Sequence, residues 1–219
     1  MKTFLNNFNW RYALGEIVIV TIGISIAFGL NNWAAQRKDQ HTKRQYLTNL
    51  AKDIEQDRIQ LEGNVTKLEQ QQKVLREMLP HLNAILPGRD SLLHKLFRVS
   101  ELIDFIPKDI TYRSMINSGD FKVIDDFELK TAVETHYAEY EVLLKNYERF
   151  ESFSKNYLAD FYVRELDYDE VNAGRHSYQE SRFFKNIVRS LYGIISLKLE
   201  ASKKGVNNCE VLLSTLDEE

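Results

Sequence analysis

The chain has 219 residues, 43% of them hydrophobic and 28% charged, with a formal net charge of −3. That is enough for one ordinary domain plus a terminal appendage, with a core that needs no staples. Residues 1–33 carry +1 and the remainder −4, a mildly acidic balance that excludes general electrostatic attraction to nucleic acid. The single cysteine, Cys209, excludes an intramolecular disulfide. Three prolines and nine glycines interrupt so little of the chain that composition predicts an all-α protein.

After a short tail, residues 1–11, comes YALGEIVIVTIGISIAFGLNNW, residues 12–33. As a helix it would extend roughly 33 Å, the length of one bilayer crossing. Trp10, Tyr12 and Trp33 place amphipathic aromatics at its two ends, as interfacial anchors do. A buried core helix is the alternative, but Ile17 to Leu30 shows no polar stripe. A cleavable signal is a second alternative, because Ala34–Ala35 follow the run; cleavage there would put Trp33 where a small residue is required. Length and aromatic ends predict a transmembrane helix over 12–33. Within it, Gly15, Gly23 and Ala27 recur at small-residue spacing beside Glu16, a charge about one turn inside the span. These four residues form the expected face for helix association, and hence for self-association.

The helical body spans 34–219. Over 34–79 the apolar positions Leu47, Leu50, Ile54, Leu61, Val65, Leu68, Leu75 and Leu79 predict one long amphipathic helix. Asp57 and Gln72 fall on the stripe, and the steps from Asp57 to Val65 read as a coiled-coil stutter. Run on from the span, this helix would make a rod of roughly 100 Å. Its stripe suits an intramolecular helical bundle better than an intermolecular coiled coil. Pro80 and Leu86-Pro87-Gly88 end the segment.

A helix over 90–106 is expected from Leu92, Leu93, Leu96, Phe97, Val99, Leu102, Ile103 and Ile106, stopped by Pro107. A shorter one over 109–118 breaks at Ser118-Gly119-Asp120, and Phe121, Val123 and Ile124 read as a buried extended link. Asp125–Asp126 cap a helix over 126–165, rich in aromatics on its inner face. Those aromatics are expected as core. The sharper alternative is a ligand cleft lined by Tyr137, Tyr140, Tyr147 and Tyr157. Residues 167–180 read as a loop, and helices over 181–204 and 206–216 follow, separated at Gly205.

The opening block resembles the N-terminal signature of an uncharacterised family of short, membrane-anchored bacterial proteins of unknown function. The matching positions are Tyr12, Ala13, Gly15, Glu16, Ile17, Gly23, Asn31, Asn32 and Trp33, with Leu14 a mild departure. ITYRSMINSGDFKVI, residues 110–124, is similar to that family's central block. The resemblance implies a single-pass protein of the bacterial cytoplasmic membrane with a helical body, and it brings no activity. Orientation has two readings. Arg37, Lys38, Lys43, Arg44 and Lys52 follow the span and put the body in the cytoplasm by the positive-inside rule. The more basic N-terminal tail of similar proteins implies the reverse.

No chemistry is legible. The five histidines stand singly, and neither metal-ligand spacing nor a phosphate-binding or nucleophile motif occurs. Catalytic residues, metal and cofactor are therefore all expected to be none. The expectation is a membrane-tethered, non-enzymatic interaction or scaffold protein whose partners are the lipid bilayer, a second copy or another protein, and not nucleic acid. A sensory or small-ligand-binding bundle using the tyrosine cleft is the alternative.

Overall fold

A computed structural model describes residues 10–218, without the side chains of Arg11 and Tyr12. The expected tail over 1–11 thus falls mostly outside the described residues, as does Tyr12 as an anchor. No strand occurs among the described residues, and the fold is all-α.

Helix α1, Trp10–Met78, is one uninterrupted element of 69 residues. It has no internal proline, so no backbone donor is missing along its length. From Leu14 to His41 every residue is exposed; burial starts only where the bundle begins. Beyond that point the buried residues are Leu50, Ile54, Asp57, Leu61, Asn64, Leu68, Gln71, Leu75 and Met78. They alternate in steps of four and three without a break, a heptad seam. The expected stutter is therefore absent. Asp57 belongs to the seam, whereas Gln72 lies at its edge and donates to Ser196 Oγ at 2.9 Å.

Three further helices are short: α2, Leu92–Val99; α3, Ile110–Ser118; and α5, Tyr168–Asn172. Two are long: α4, Phe127–Phe153, and α6, Arg182–Asp217. Helices α1 and α4 run in the same direction and α6 returns antiparallel. Leu216 at the end of α6 accordingly shares a core cluster with Leu50 and Leu129. Phe184 at its start shares another with Met78 and Phe150, covered by α2.

Several boundaries differ from the sequence expectation. The helix expected over 90–106 ends at Val99, where the Ser100 hydroxyl donates back to Leu96 O at 2.7 Å. Residues 101–109 then run as an irregular strap along α1. The expected extended link is a tight turn, Asp120–Val123, entered through Gly119 at φ 73°, a left-handed conformation that favours glycine. Helix α4 is capped by Asp126, whose side chain accepts from Leu129 N. Past Phe153 the expected helix over 126–165 loosens into two π-helical turns, Ser154–Leu158 and Phe161–Glu165. These change the helical register, so Leu158 and Phe161 are buried while Tyr157 is 49% exposed.

The expected loop over 167–180 holds α5 and a turn, Ser177–Glu180. The two helices expected over 181–204 and 206–216 are one. Gly205 lies inside α6 and is buried; a Cβ there would stand 3.0 Å from Leu61 Cδ1 and 3.3 Å from Leu143 Cδ2. The glycine that read as a break is a point of close approach among α1, α4 and α6.

Candidate functional site

The groove between α1 and α4 is filled by the strap. Ile103 and Phe105 point inward and are nearly fully buried, with the Phe105 ring 5.3 Å from Tyr140 and 6.1 Å from Tyr147. An extended segment has no ladder partner for its backbone, so its polar groups need side chains or water. Helix α1 supplies side chains at seven-residue intervals. Gln71 Nε2 donates to Glu101 O at 2.9 Å and Asn64 Nδ2 to Asp104 O at 2.9 Å. Asp57 accepts the Lys108 N–H on both oxygens, at 3.0 and 3.1 Å. Seven helical residues rise about 10.5 Å, the reach of three to four extended ones, so the two repeats stay in step. The polar column of the α1 seam is thus a backbone clamp, and the aliphatic column of Ile54, Leu61, Leu68 and Leu75 remains core.

A second clamp comes from α6. Lys198 is 2% exposed, and its ammonium donates to Ile103 O at 2.6 Å. The nitrogen stands 4.0 Å from the centroid of Tyr147 and 4.8 Å from that of Phe150, so both rings face a cation. Tyr147 Oη shares a hydrogen bond with Ser202 Oγ at 2.9 Å and accepts from Asn64 Nδ2 at 3.1 Å. Ser202 Oγ donates to Lys198 O. All three helices and the strap meet in this one layer.

Burial sets the ionisation of these groups. Lys198 is pushed down to about 8 by loss of water, with Asp104 opposing the shift. Asp57 is pushed up to about 6 by burial, against the pull of the Lys108 N–H. His136, packed edge-on against Tyr140, is lowered to about 4 by burial, an effect the neighbouring Asn208 backbone only partly offsets. The Cys209 thiol, 3.4 Å from Tyr140 Oη, is pushed up to about 11 by burial, so it is protonated and poorly nucleophilic at neutral pH. Among the described residues, no three His, Cys, Asp or Glu side chains gather as a metal-ligating group.

The tyrosine cleft is corrected by this packing. Tyr137, Tyr140 and Tyr147 are in one filled core cluster, each under a tenth exposed, and Tyr157 lies apart from them. Tyr112 stacks on Tyr137 at 4.2 Å, closing the space a ligand would need. Glu16, Gly15, Gly23 and Ala27 all lie on the exposed part of α1, and a Cβ at Gly15 or Gly23 would touch nothing. Trp10 and Trp33, 71% and 55% exposed, bracket that part, with the Arg37 guanidinium 4.3 Å over the Trp33 ring. An 18-residue window of α1 reaches a mean hydropathy of 2.2 with none of it buried, so this helix is long and apolar enough to cross a membrane.

Sequence reasoning did not find Asn64, Gln71 or Lys198. The signal for Lys198 was its place seven residues after Leu191 and three after Ile195, on the buried stripe of α6. A lysine there reads as a lapse in the pattern until the strap provides its acceptor.

The sequence profile of a family of unknown function, DUF6090, matches residues 16–167, which include the apolar run from Glu16 onward, the strap and α4. No curated protein and no solved structure matches the chain.

Proposed function

The chain belongs to DUF6090, a family of unknown function, and from that footing we propose that it is a single-pass tether of the bacterial cytoplasmic membrane that holds a helical interaction domain at a fixed distance from the lipid. The observation that carries this reading is the continuity of α1. One helix provides both the exposed apolar run and the spine of the bundle. An apolar surface exposed all round is stable only when covered, and lipid is the cover that its length fits. Trp10 and Trp33 then sit at the two interfaces. The exposed stretch from Ala34 to His41 becomes a stalk that raises the bundle by roughly 12 Å at 1.5 Å per residue.

The role is read as non-enzymatic, because the buried ionisable groups with hydrogen bonds hold backbone or one another. The proposed partners are a second copy, through Gly15, Glu16, Gly23 and Ala27, or another protein at the body. Carbonate extraction of membranes followed by crosslinking in mild detergent tests the reading. The expected result is a carbonate-resistant protein that crosslinks to itself or to a discrete partner. Release by carbonate would refute the anchor, and an uncrosslinked monomer the interaction role.

A further inference from the structure

Just beyond the apolar run, residues 34–52 of α1 carry five basic side chains, Arg37, Lys38, Lys43, Arg44 and Lys52, against one acidic, Asp39. Their surroundings divide them. Lys43 is bound to Asp125 at 2.9 Å and the Lys38 charge acts on Asp120, so the turn before α4 engages both. Lys52 stands about 28 Å along the helix from Trp33. Arg37 and Arg44 are exposed, and neither is in an ion pair among the described residues. Seven residues apart, they share one face with Trp33, Gln36, Gln40 and His41, and no carboxylate lines it. Asp39, two residues from Arg37, points to a different side of the helix.

The direction of α1 aims this face at the lipid. With the apolar run in a bilayer, the N-terminal side of residues 34–52 is the membrane side, and side chains on an α-helix lean toward its N-terminus. Arg37 shows the lean, its guanidinium lying 4.3 Å over the ring of Trp33, four residues earlier. Arg37 is about 6 Å above Trp33 along the axis, the depth of one headgroup layer. Arg44 is about 16 Å above it, within about one Debye length of that layer. A guanidinium at headgroup depth meets phosphodiesters, which its planar fork binds through two parallel hydrogen bonds.

We propose that this face of α1 recruits an anionic phospholipid, Arg37 pairing with the phosphate and Arg44 supplying the attraction that selects a net negative lipid over a zwitterionic one. The inference rests on the tethering role and names the lipid class that the tether contacts.

The test uses the full chain with Trp10→Phe, which leaves Trp33 as the only tryptophan. It is reconstituted in phosphatidylcholine vesicles in which a minor share of the lipid carries brominated acyl chains, on either phosphatidylglycerol or phosphatidylcholine. Bromine quenches an indole that its lipid touches. Trp33 should be quenched by both lipids, with phosphatidylglycerol preferred about fivefold, the scale of one basic residue at an anionic surface. Arg37→Gln with Arg44→Gln, at two exposed positions where glutamine keeps the helix, should bring the preference to near one and leave quenching by phosphatidylcholine unchanged. Equal quenching by the two lipids before that substitution, or a preference that survives it, would overturn the lipid site while the anchor stands. Loss of the preference in excess inorganic phosphate at fixed ionic strength would reassign the face to a soluble anion. Quenching by neither lipid would overturn the anchor and the site with it.

Discussion

The ammonium of Lys198 donates to the carbonyl of Ile103 across 2.6 Å, joining α6 to the strap inside the core. A charge so placed has lost its water, and the hydrogen bond and two aromatic faces replace only part of it. The pair fixes the path of a segment that has no secondary structure of its own.

This pair gives stability a specific alkaline signature. The folded-state value of Lys198, about 8, lies below the ordinary 10.5, so the unfolded chain holds the proton more tightly. The cost of burying the charge is fully present below pH 8 and is relieved as pH rises toward 10.5. Comparing wild type with Lys198→Met between pH 7.5 and 9.5 by denaturant unfolding isolates the effect. Wild type should gain about 1–2 kcal/mol relative to the variant over that interval. Parallel profiles would show that the ammonium carries no such burial cost.

Asp57 and His136 pull in opposite directions at acid pH. Asp57 titrates near 6 in the fold against an ordinary 3.8, so stability falls as pH climbs between those values. His136 titrates near 4 against 6.5, so its contribution rises with pH over nearly the same window. The two terms should nearly cancel in wild type. Asp57→Asn should expose a stability that increases from pH 4 to 6.5, and His136→Phe one that decreases, each by about 2–3 kcal/mol. Unfolding midpoints across that range give the slopes directly.

Two glycines within helices should respond oppositely. Gly63 is exposed with no neighbour within 4 Å of a Cβ, and Gly63→Ala should stabilise the bundle by about 0.5–1 kcal/mol. At Gly205 the added methyl meets Leu61 and Leu143 at 3.0 and 3.3 Å. Gly205→Leu should therefore destabilise by about 3 kcal/mol or more through overpacking, and thermal unfolding of the two variants separates helix propensity from packing.

Orientation is accessible to labelling, though not through the native thiol, since Cys209 is fully buried. Glu218→Cys in a Cys209→Ser background places a thiol on the exposed end of α6. The basic residues after the span predict that a membrane-impermeant maleimide leaves intact cells unlabelled and labels them after permeabilisation. Labelling of intact cells would place the body outside the cytoplasm.

The apolar run of α1 tests as an association face through Gly23→Ile. A bulky side chain at a close helix crossing should abolish crosslinked dimers in membranes while leaving insertion intact. Unchanged dimer yield would move any self-association to the body.

The amino-acid sequence by itself determined the all-α class, the continuous apolar run with its aromatic ends, and the helical start at Asp126. These depend on local length, periodicity and capping, which neighbours in the chain decide. Leu50, Ile54, Leu61, Leu68 and Leu75 already marked one column of the seam. Of the other column, Asp57 showed only as a lapse in the apolar stripe, and Asn64 and Gln71 were not legible as core. Polar side chains are buried only when a partner is present, and theirs is strap backbone 30 to 51 residues distant.

Tertiary structure alone decided that Leu102, Ile103 and Ile106 leave the helical pattern. The strap's core contacts and the side chains of α1 outweigh the helix that their apolar content suggests. It also decided that Gly205 is a contact rather than a break, because close approach of helices is a property of three segments and not of one. The tyrosines of α4 were correctly read as core by their spacing, but whether they enclosed a cleft depended on Tyr112 and Phe105 arriving from elsewhere to fill it.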